Sequence, residues 1–519
     1  DGNITTLERD SAGIPTAILS PYGQRTTLTV DASGYLATVA NPAGEVHRIA
    51  YTTGGLLTEF KYPKGGASSM IYDALGRLTR DSDAAGGFKA LARTEADRTY
   101  TVALSTALGR TTRYQVDDLL TGNQKRLTTG SDGTQTELLT DTEGSRKTTL
   151  PDGTIVDLAE GPDPRFSMQA PIPKTESTST GGLTSAFAMS REANLSNPAD
   201  PLSLVSQTDT VTLNGRLYSS SYLASTRTFT GTTPANRQST TTLDAQGRPI
   251  GAQAAGLEPA AVTYDGRGRI ATVVAGSGPG ARATSIAYNA EGFLASITDP
   301  LGRVESFAYD AAGRVTTQTL PGGRVVQYAY DANGNLTSLT PPGRPAHAFT
   351  HTPVDLMASY VPPDVGAGTN QTQYTYNADR QLTQVSRPDG QTVAFAYDAA
   401  GRVNATAIAR GTISYGYSPT TGQMTSIAAP DGLGLAYTYD GALLNTVTWS
   451  GPIAGTVART YDNDFRVTGL AVNGTSVPFN YDADSLLTGA GAMTLTRSPQ
   501  NGLLTGTTLG NATDAWTYN

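Results

Sequence analysis

A single unit recurs along this chain at a nearly constant interval. Tyr309-Asp310-Ala311-Ala312-Gly313-Arg314-Val315 returns as Tyr330-Asp331-Ala332-Asn333-Gly334-Asn335-Leu336 and again as Tyr397-Asp398-Ala399-Ala400-Gly401-Arg402-Val403. The leading residues fall at Leu243, Tyr264, Tyr288, Tyr309 and Tyr330, then at Tyr376, Tyr397, Tyr417, Tyr439, Tyr461 and Tyr481. Fainter copies extend upstream through Arg9, Val30, Tyr51 and Tyr72, each 21 residues from the last. A fixed period of this length marks a repeat array, in which each unit needs its neighbours to bury its surface.

Each unit reads as one β-hairpin. Gln327-Tyr328-Ala329-Tyr330 alternates, which places both tyrosines on one face of a strand. Asp331 suits a turn because its carboxylate can accept from a backbone N–H two residues on, and Gly334 can take the positive φ that closes a loop built on a type I turn. Leu336-Thr337-Ser338-Leu339 is the return strand, ended by Pro341 and Pro342. About 25 such units at ~4.8 Å per strand would make a ribbon on the order of 240 Å long, and open sheets beyond ~10 strands curl or split. The expected fold is therefore all-β: tandem hairpins in one long spiralling sheet, a barrel-like hollow shell.

The pattern divides the chain into three stretches. Residues 1–160 carry partly degenerate repeats, 161–242 form an irregular Pro/Ser/Thr-rich insertion with decayed repeats, and 243–519 are the regular array, expected to be cut short at its C-terminal end. Gly161 through Ser185, with Pro162, Pro164, Pro171 and Pro173, is expected to be a loop, insertion or hinge because proline cannot donate to a ladder. Pro341 to Thr372 is expected to replace one hairpin with a loop.

Composition agrees with a turn-rich β chain: 57 Gly and 29 Pro in 519 residues make up about 17%. The net charge of -8 argues against nucleic-acid binding and against a polybasic membrane patch. With no cysteine, neither disulfides nor thiolate metal sites are available. No apolar run is long enough for a membrane span.

The search for chemistry returns turn residues. His347 and His351 have helical metal-pair spacing, but on an extended segment they would stand ~13 Å apart. Asp331-Ala332-Asn333-Gly334-Asn335 and Asp462-Asn463-Asp464 resemble fragments of calcium loops without the closing ligands. Gly276-Ser277-Gly278-Pro279-Gly280 lacks the Lys-Ser/Thr of a phosphate loop. Asp310 and Asp398 could act as an acid–base pair only if the coil joined them. No catalytic, cofactor-binding or metal residue is assigned, no cofactor is expected, and the chain is expected not to be an enzyme. The recurring tyrosines are assigned to holding neighbouring hairpins in register rather than to a ligand platform.

The residues carrying the repeat are Tyr72, Asp73, Gly76 and Arg77; Tyr264, Asp265 and Gly268; Tyr309, Asp310, Gly313 and Arg314; Tyr330, Asp331 and Gly334; and Tyr397, Asp398, Gly401 and Arg402. They resemble the YD repeats of the bacterial RHS family, shared with the C component of ABC toxins and with teneurins. The resemblance implies a spiralling β-shell around a cavity, which in bacteria commonly encloses a C-terminal toxin and in teneurins serves cell-surface adhesion. It implies a secreted or surface location, a polypeptide cargo from the same parent chain, and partners in a secretion apparatus or at a cell surface. Cargo-carrying members close the array with an Asp-Pro-x-Gly-rich segment at which some cleave themselves. No such segment is matched here, so no autoproteolytic residue is carried over.

Overall fold

The computed structural model describes residues 2–364 and 370–518. It is an all-β sheet of 47 strands, from β1 (Thr6–Arg9) to β47 (Ala512–Ala515), each antiparallel to the strand before it. The first and last strands do not pair, so the sheet stays open. Two short 3-10 turns, Gly278–Gly280 and Pro430–Gly432, are the helical content among the described residues. No helix among the described residues is long and apolar enough to cross a membrane.

The hairpin of β29 (Arg324–Tyr330) and β30 (Leu336–Thr340) shows how sequence sets the unit. The Asp331 N–H donates to the Asn335 carbonyl and the Gly334 N–H to the Asp331 carbonyl, both at 2.9 Å. The register slips by one between Ala329 and Tyr330. This bulge lets a left-handed glycine close the turn, and Gly334 has φ 91°.

The two faces differ. Tyr328, Leu339 and His347 form a rung on one face, while Ala329, Ser338 and Ala348 form the adjacent rung on the other. The pattern repeats with Tyr415, Ile427 and Leu435 against Gly416, Ser426 and Ala436. Exposed hydroxyl pairs bridge strands on the small-residue face, as between Thr263 and Thr272 at 2.6 Å and between Thr438 and Thr446 at 2.6 Å. Among the described residues no second layer packs on either face: Ala17 is the sole fully buried hydrophobic residue, and no large side chain falls below 2% exposure. The wall is one sheet thick, and its order comes from lateral packing and turn hydrogen bonds.

Two expectations are corrected. The Pro-rich stretch from Gly161 is neither loop nor hinge: β15 (Ile155–Asp163), β16 (Ser167–Thr180) and β17 (Leu183–Leu195) pass through it as consecutive antiparallel strands, followed by β18 (Leu204–Leu213). The ladder absorbs the prolines by slipping register at Ala159/Glu160 and Gly161/Asp163. Pro341 to Thr372 likewise keeps a hairpin, β31 (His347–His351) with β32 (Met357–Val361), and confines its prolines to the connections.

Candidate functional site

The repeat residues build a network that links each hairpin to the next. Asp73, Asp265, Asp310, Asp331 and Asp398 each accept, through Oδ1, the backbone N–H groups two and four residues on. The Nε of Arg77, Arg314 and Arg402 donates to the second oxygen of Asp73, Asp310 and Asp398 at 2.7–2.8 Å. The following glycines, Gly76, Gly268, Gly313 and Gly401, have φ of 77°, 80°, 83° and 84°.

Two further bonds reach across units. The Arg314 Nη1 donates to the Asp331 carbonyl at 3.0 Å while its guanidinium lies over the Tyr330 ring, and Arg402 does the same to the Gly422 carbonyl and the Tyr417 ring. In the reverse direction, the hydroxyls of Tyr264, Tyr309, Tyr330 and Tyr397 donate to the carbonyls of Pro249, Leu294, Val315 and Leu382. Each tyrosine thus occupies the unpaired carbonyl at the start of the previous return strand. Charge follows the same geometry. Burial works to raise the Asp310 carboxyl, but hydrogen bonds from the Arg314 backbone and guanidinium outweigh it and hold the group below its ordinary value.

A second set of contacts joins residues 245 to 297 apart. The tip between β2 (Pro15–Leu19) and β3 (Arg25–Val30) meets the tip between β25 (Arg282–Tyr288) and β26 (Leu294–Thr298), where the Gln24 amide donates to the Glu291 carbonyl. The tip between β20 (Thr228–Thr232) and β21 (Gln238–Leu243) meets that between β43 (Thr475–Tyr481) and β44 (Leu487–Ala490), where Arg237 bonds Asp482 and Asp484. The advance is 23 strands at both places, so the sheet curls once around and lies on itself. At ~4.8 Å per strand one turn is about 110 Å around and, if circular, about 35 Å across.

An odd advance is a consequence of the meander. Tips after even strands lie on one edge and tips after odd strands on the other, and stacking joins opposite edges. All the Tyr-Asp turns follow odd strands, so the second turn presents its motif edge to the plain edge of the first. The seam is ionic: Lys64–Asp331 at 2.7 Å, Arg110–Asp379 at 2.7 Å, Arg216–Asp464 at 2.6 Å, Arg314–Glu45 at 2.9 Å, Arg380–Asp83 at 2.8 Å and Arg402–Asp132 at 3.1 Å. The same Asp–Arg turn is more open away from the seam, where the Arg77 and Arg303 side chains are 44% and 62% exposed against 21% for Arg314.

The seam partners were not singled out by reading the repeat. Part of their signal is the third residue of the turn, which is Asn333, Asp379, Asp464 or Asp484 where that side chain enters the seam, whereas the turns with Ala312 and Ala400 reach it through Arg314 and Arg402. Other expected positions resolve into ordinary roles. Asp331 receives the Lys64 ammonium, Asp462 the Arg466 guanidinium, and His347 Nδ1 lies 2.7 Å from the Tyr360 hydroxyl. Gly276 to Gly280 is the short turn between β24 (Ile270–Ala275) and β25, and Ser277 there bonds Glu258. Asp310 and Asp398 each bond their own arginine, Arg314 and Arg402. Among the described residues no three His, Cys, Asp or Glu side chains converge as a metal site would require.

The teneurin YD-shell family model matches residues 1–519, the whole chain. This chain belongs to the teneurin YD-shell family. The crystal structure of TcdB2-TccC3-TEV has the same fold, with 12% identity, a TM-score of 0.56, and coverage of 98% of this chain and 35% of that one. The structure of the Photorhabdus luminescens Tc holotoxin pore also matches, at 11% identity and a TM-score of 0.37, covering 97% and 38% of the two chains. The YD-shell chain described here thus spans about a third of the length of these structures. No curated protein matches. For a YD shell, the network above is the wall itself: tyrosine and arginine fasten hairpin to hairpin, and the seam fastens turn to turn.

Proposed function

We propose that this chain is a non-catalytic wall segment of an RHS-type shell, working outside the cell that makes it, and that the wall encloses, protects or delivers a polypeptide cargo encoded in the same parent chain. The observation carrying this reading is the one-sheet wall that curls back and lies on itself tip to tip after 23 strands. A thin wall that curls back on itself bounds a space, which is what a container requires. With side chains taking about 5 Å on each side of that circle, a lumen of about 25 Å remains, room for a polypeptide and beyond what a small ligand needs. The engagement of the turn carboxylates by arginine and lysine supports a structural role for them, since an acid–base residue needs a proton it can exchange near neutral pH.

The test is a cryo-EM map of the natural-length parent chain. Density for a separate chain segment inside the closed wall is the expected result. An empty lumen, with ordered partners only on the outer surface, would overturn it in favour of a teneurin-like adhesion scaffold.

A further inference from the structure

Between β16 and β17, neighbouring strands part while both still run on. β16 and β17 pair from Thr180–Leu183 to Thr175–Ala188 and no further, although both continue for several residues. Beyond that rung β16 stays with β15, and Met189 to Leu195 of β17 keep β18 alone. The result is a fork, and its two arms differ.

The β16 arm is blunted: Pro171 and Pro173 lack donors, and the β15–β16 register is broken twice beside them. The β17 arm carries no proline and no bulge before Asn194. Its orientation follows from the bond that the Asn214 N–H makes to the Ala186 carbonyl, which turns the amides of Ala186, Ala188, Ser190 and Glu192 toward β18. The backbone N–H and C=O groups of Met189, Arg191 and Ala193 therefore face the open side of the fork, and no strand pairs with them there. Unpaired groups repeating at every second residue are a template for an added strand.

Two further observations bear on the occupant. The tip of the β15–β16 arm is held against β17: the Asp163 carboxylate, 3% exposed, accepts from the Arg165 and Phe166 N–H groups and from Arg191 Nη1 at 3.0 Å. Arg191 is also bidentate to Asp209 at 2.7 Å, which fixes the arm to the β17–β18 ladder. At the base of the fork, the last common rung, Ala159–Thr175–Ala188, borders a groove of about 650 Å³ lined by Leu139, Leu158 and Phe187 and by the charged Arg146, Asp157 and Glu176.

We propose that the fork is a β-augmentation site that takes one extended segment of a partner polypeptide, paired to Met189, Arg191 and Ala193 and running toward that groove. The backbone row selects a polypeptide, because an extended chain alone repeats donor and acceptor at the strand period. The clamped arm selects a single strand over a second copy of this wall, since an edge strand of another copy would bring its own neighbouring strand into the space that the β15–β16 arm fills. This inference does not rest on the cargo reading.

Hydrogen exchange on the intact chain tests it, with a synthetic ten-residue peptide of the β18 sequence, Leu204 to Leu213, as probe. That sequence already pairs with β17 on its other edge. In the free chain, the amides of Met189, Arg191 and Ala193 should exchange rapidly while those of Ser190 and Glu192 exchange slowly. The peptide should slow the first set by roughly tenfold or more and leave the second unchanged. Ala193→Pro, which removes a fork-facing donor, should abolish the effect. So should N-methylation of alternate peptide amides, a control that leaves the protein untouched. Slow exchange at Met189, Arg191 and Ala193 in the free chain would overturn the proposal, as would no slowing by peptide up to about 1 mM. Protection that instead tracks protein concentration, with dimers in sedimentation, would assign the edge to a second copy and overturn it too.

Discussion

At the scale of single residues, the turn glycines do not all have the same task. Gly334 needs only its positive φ, because an added Cβ would meet nothing closer than Arg314 Nη1 at 4.0 Å. Gly313 has a similar φ, but its Cβ would lie 2.7 Å from the Phe293 ring of the preceding unit. Gly334→Val should therefore cost on the order of 1–2 kcal/mol for the left-handed backbone, and Gly313→Val more, since Phe293 must also leave its stack with Tyr309. Urea titration of the two variants side by side checks the order, and equal losses would show that the Phe293 contact yields at no cost. The tyrosine hydroxyls are a separate case. Tyr330→Phe leaves the ring and removes one bond to the Val315 carbonyl, so about 0.5–1.5 kcal/mol should be lost in the same assay.

At the scale of the hairpin, arginine is the element's joint, and its surroundings set its worth. Arg314 bonds Asp310 within its turn, the Asp331 carbonyl of the next hairpin and Glu45 of the other turn, whereas Arg303 bonds Asp299. Arg314→Leu should cost on the order of 1–3 kcal/mol, and Arg303→Leu, at an exposed tip, should change the melting temperature by nothing measurable. The hairpins themselves were legible in the sequence, because Asp, Gly and the alternating tyrosines are each required by local turn geometry. The segment after Gly161 was not. Pro171 and Pro173 lie where β16 has parted from β17, and an edge strand tolerates a missing donor that an interior strand does not. Proline alone cannot tell a reader which kind of strand it sits in. The fork was hidden for the same reason, since pairing partners are a property of the sheet and not of either strand.

At the scale of the molecule, the decisive quantity is the advance of 23 strands per turn, which no residue encodes by itself. It is set by how a twisted sheet curls, and the seam records it afterwards in the aspartates at 379, 464 and 484. Because the seam tips join through charge and hydrogen bonds, turn-to-turn cohesion should depend on pH in a definite direction. Burial tends to raise the Asp132, Asp331 and Asp482 carboxyls. Hydrogen bonds to each, together with the charges of Arg402, Lys64 and Arg237, outweigh that effect and leave all three below the ordinary value of 3.8. A group whose folded value is depressed contributes stability that is fully present above its unfolded value and is lost as pH falls through the folded one. The seam should thus hold from neutrality down to about pH 5 and loosen progressively below about pH 4, as pH falls toward the depressed values at which the folded carboxylates protonate. Small-angle scattering should then show the radius of gyration rising at acid pH while far-ultraviolet circular dichroism retains the hairpin signal, because each hairpin keeps its own backbone ladder. Replacing Asp132, Asp331 and Asp482 together with asparagine should reproduce the loosening at pH 7, since the amide keeps the shape and removes the charge. If the radius stays constant through pH 3 and in the triple variant, the turns are held by the polypeptide's own curl and the ion pairs are incidental to it.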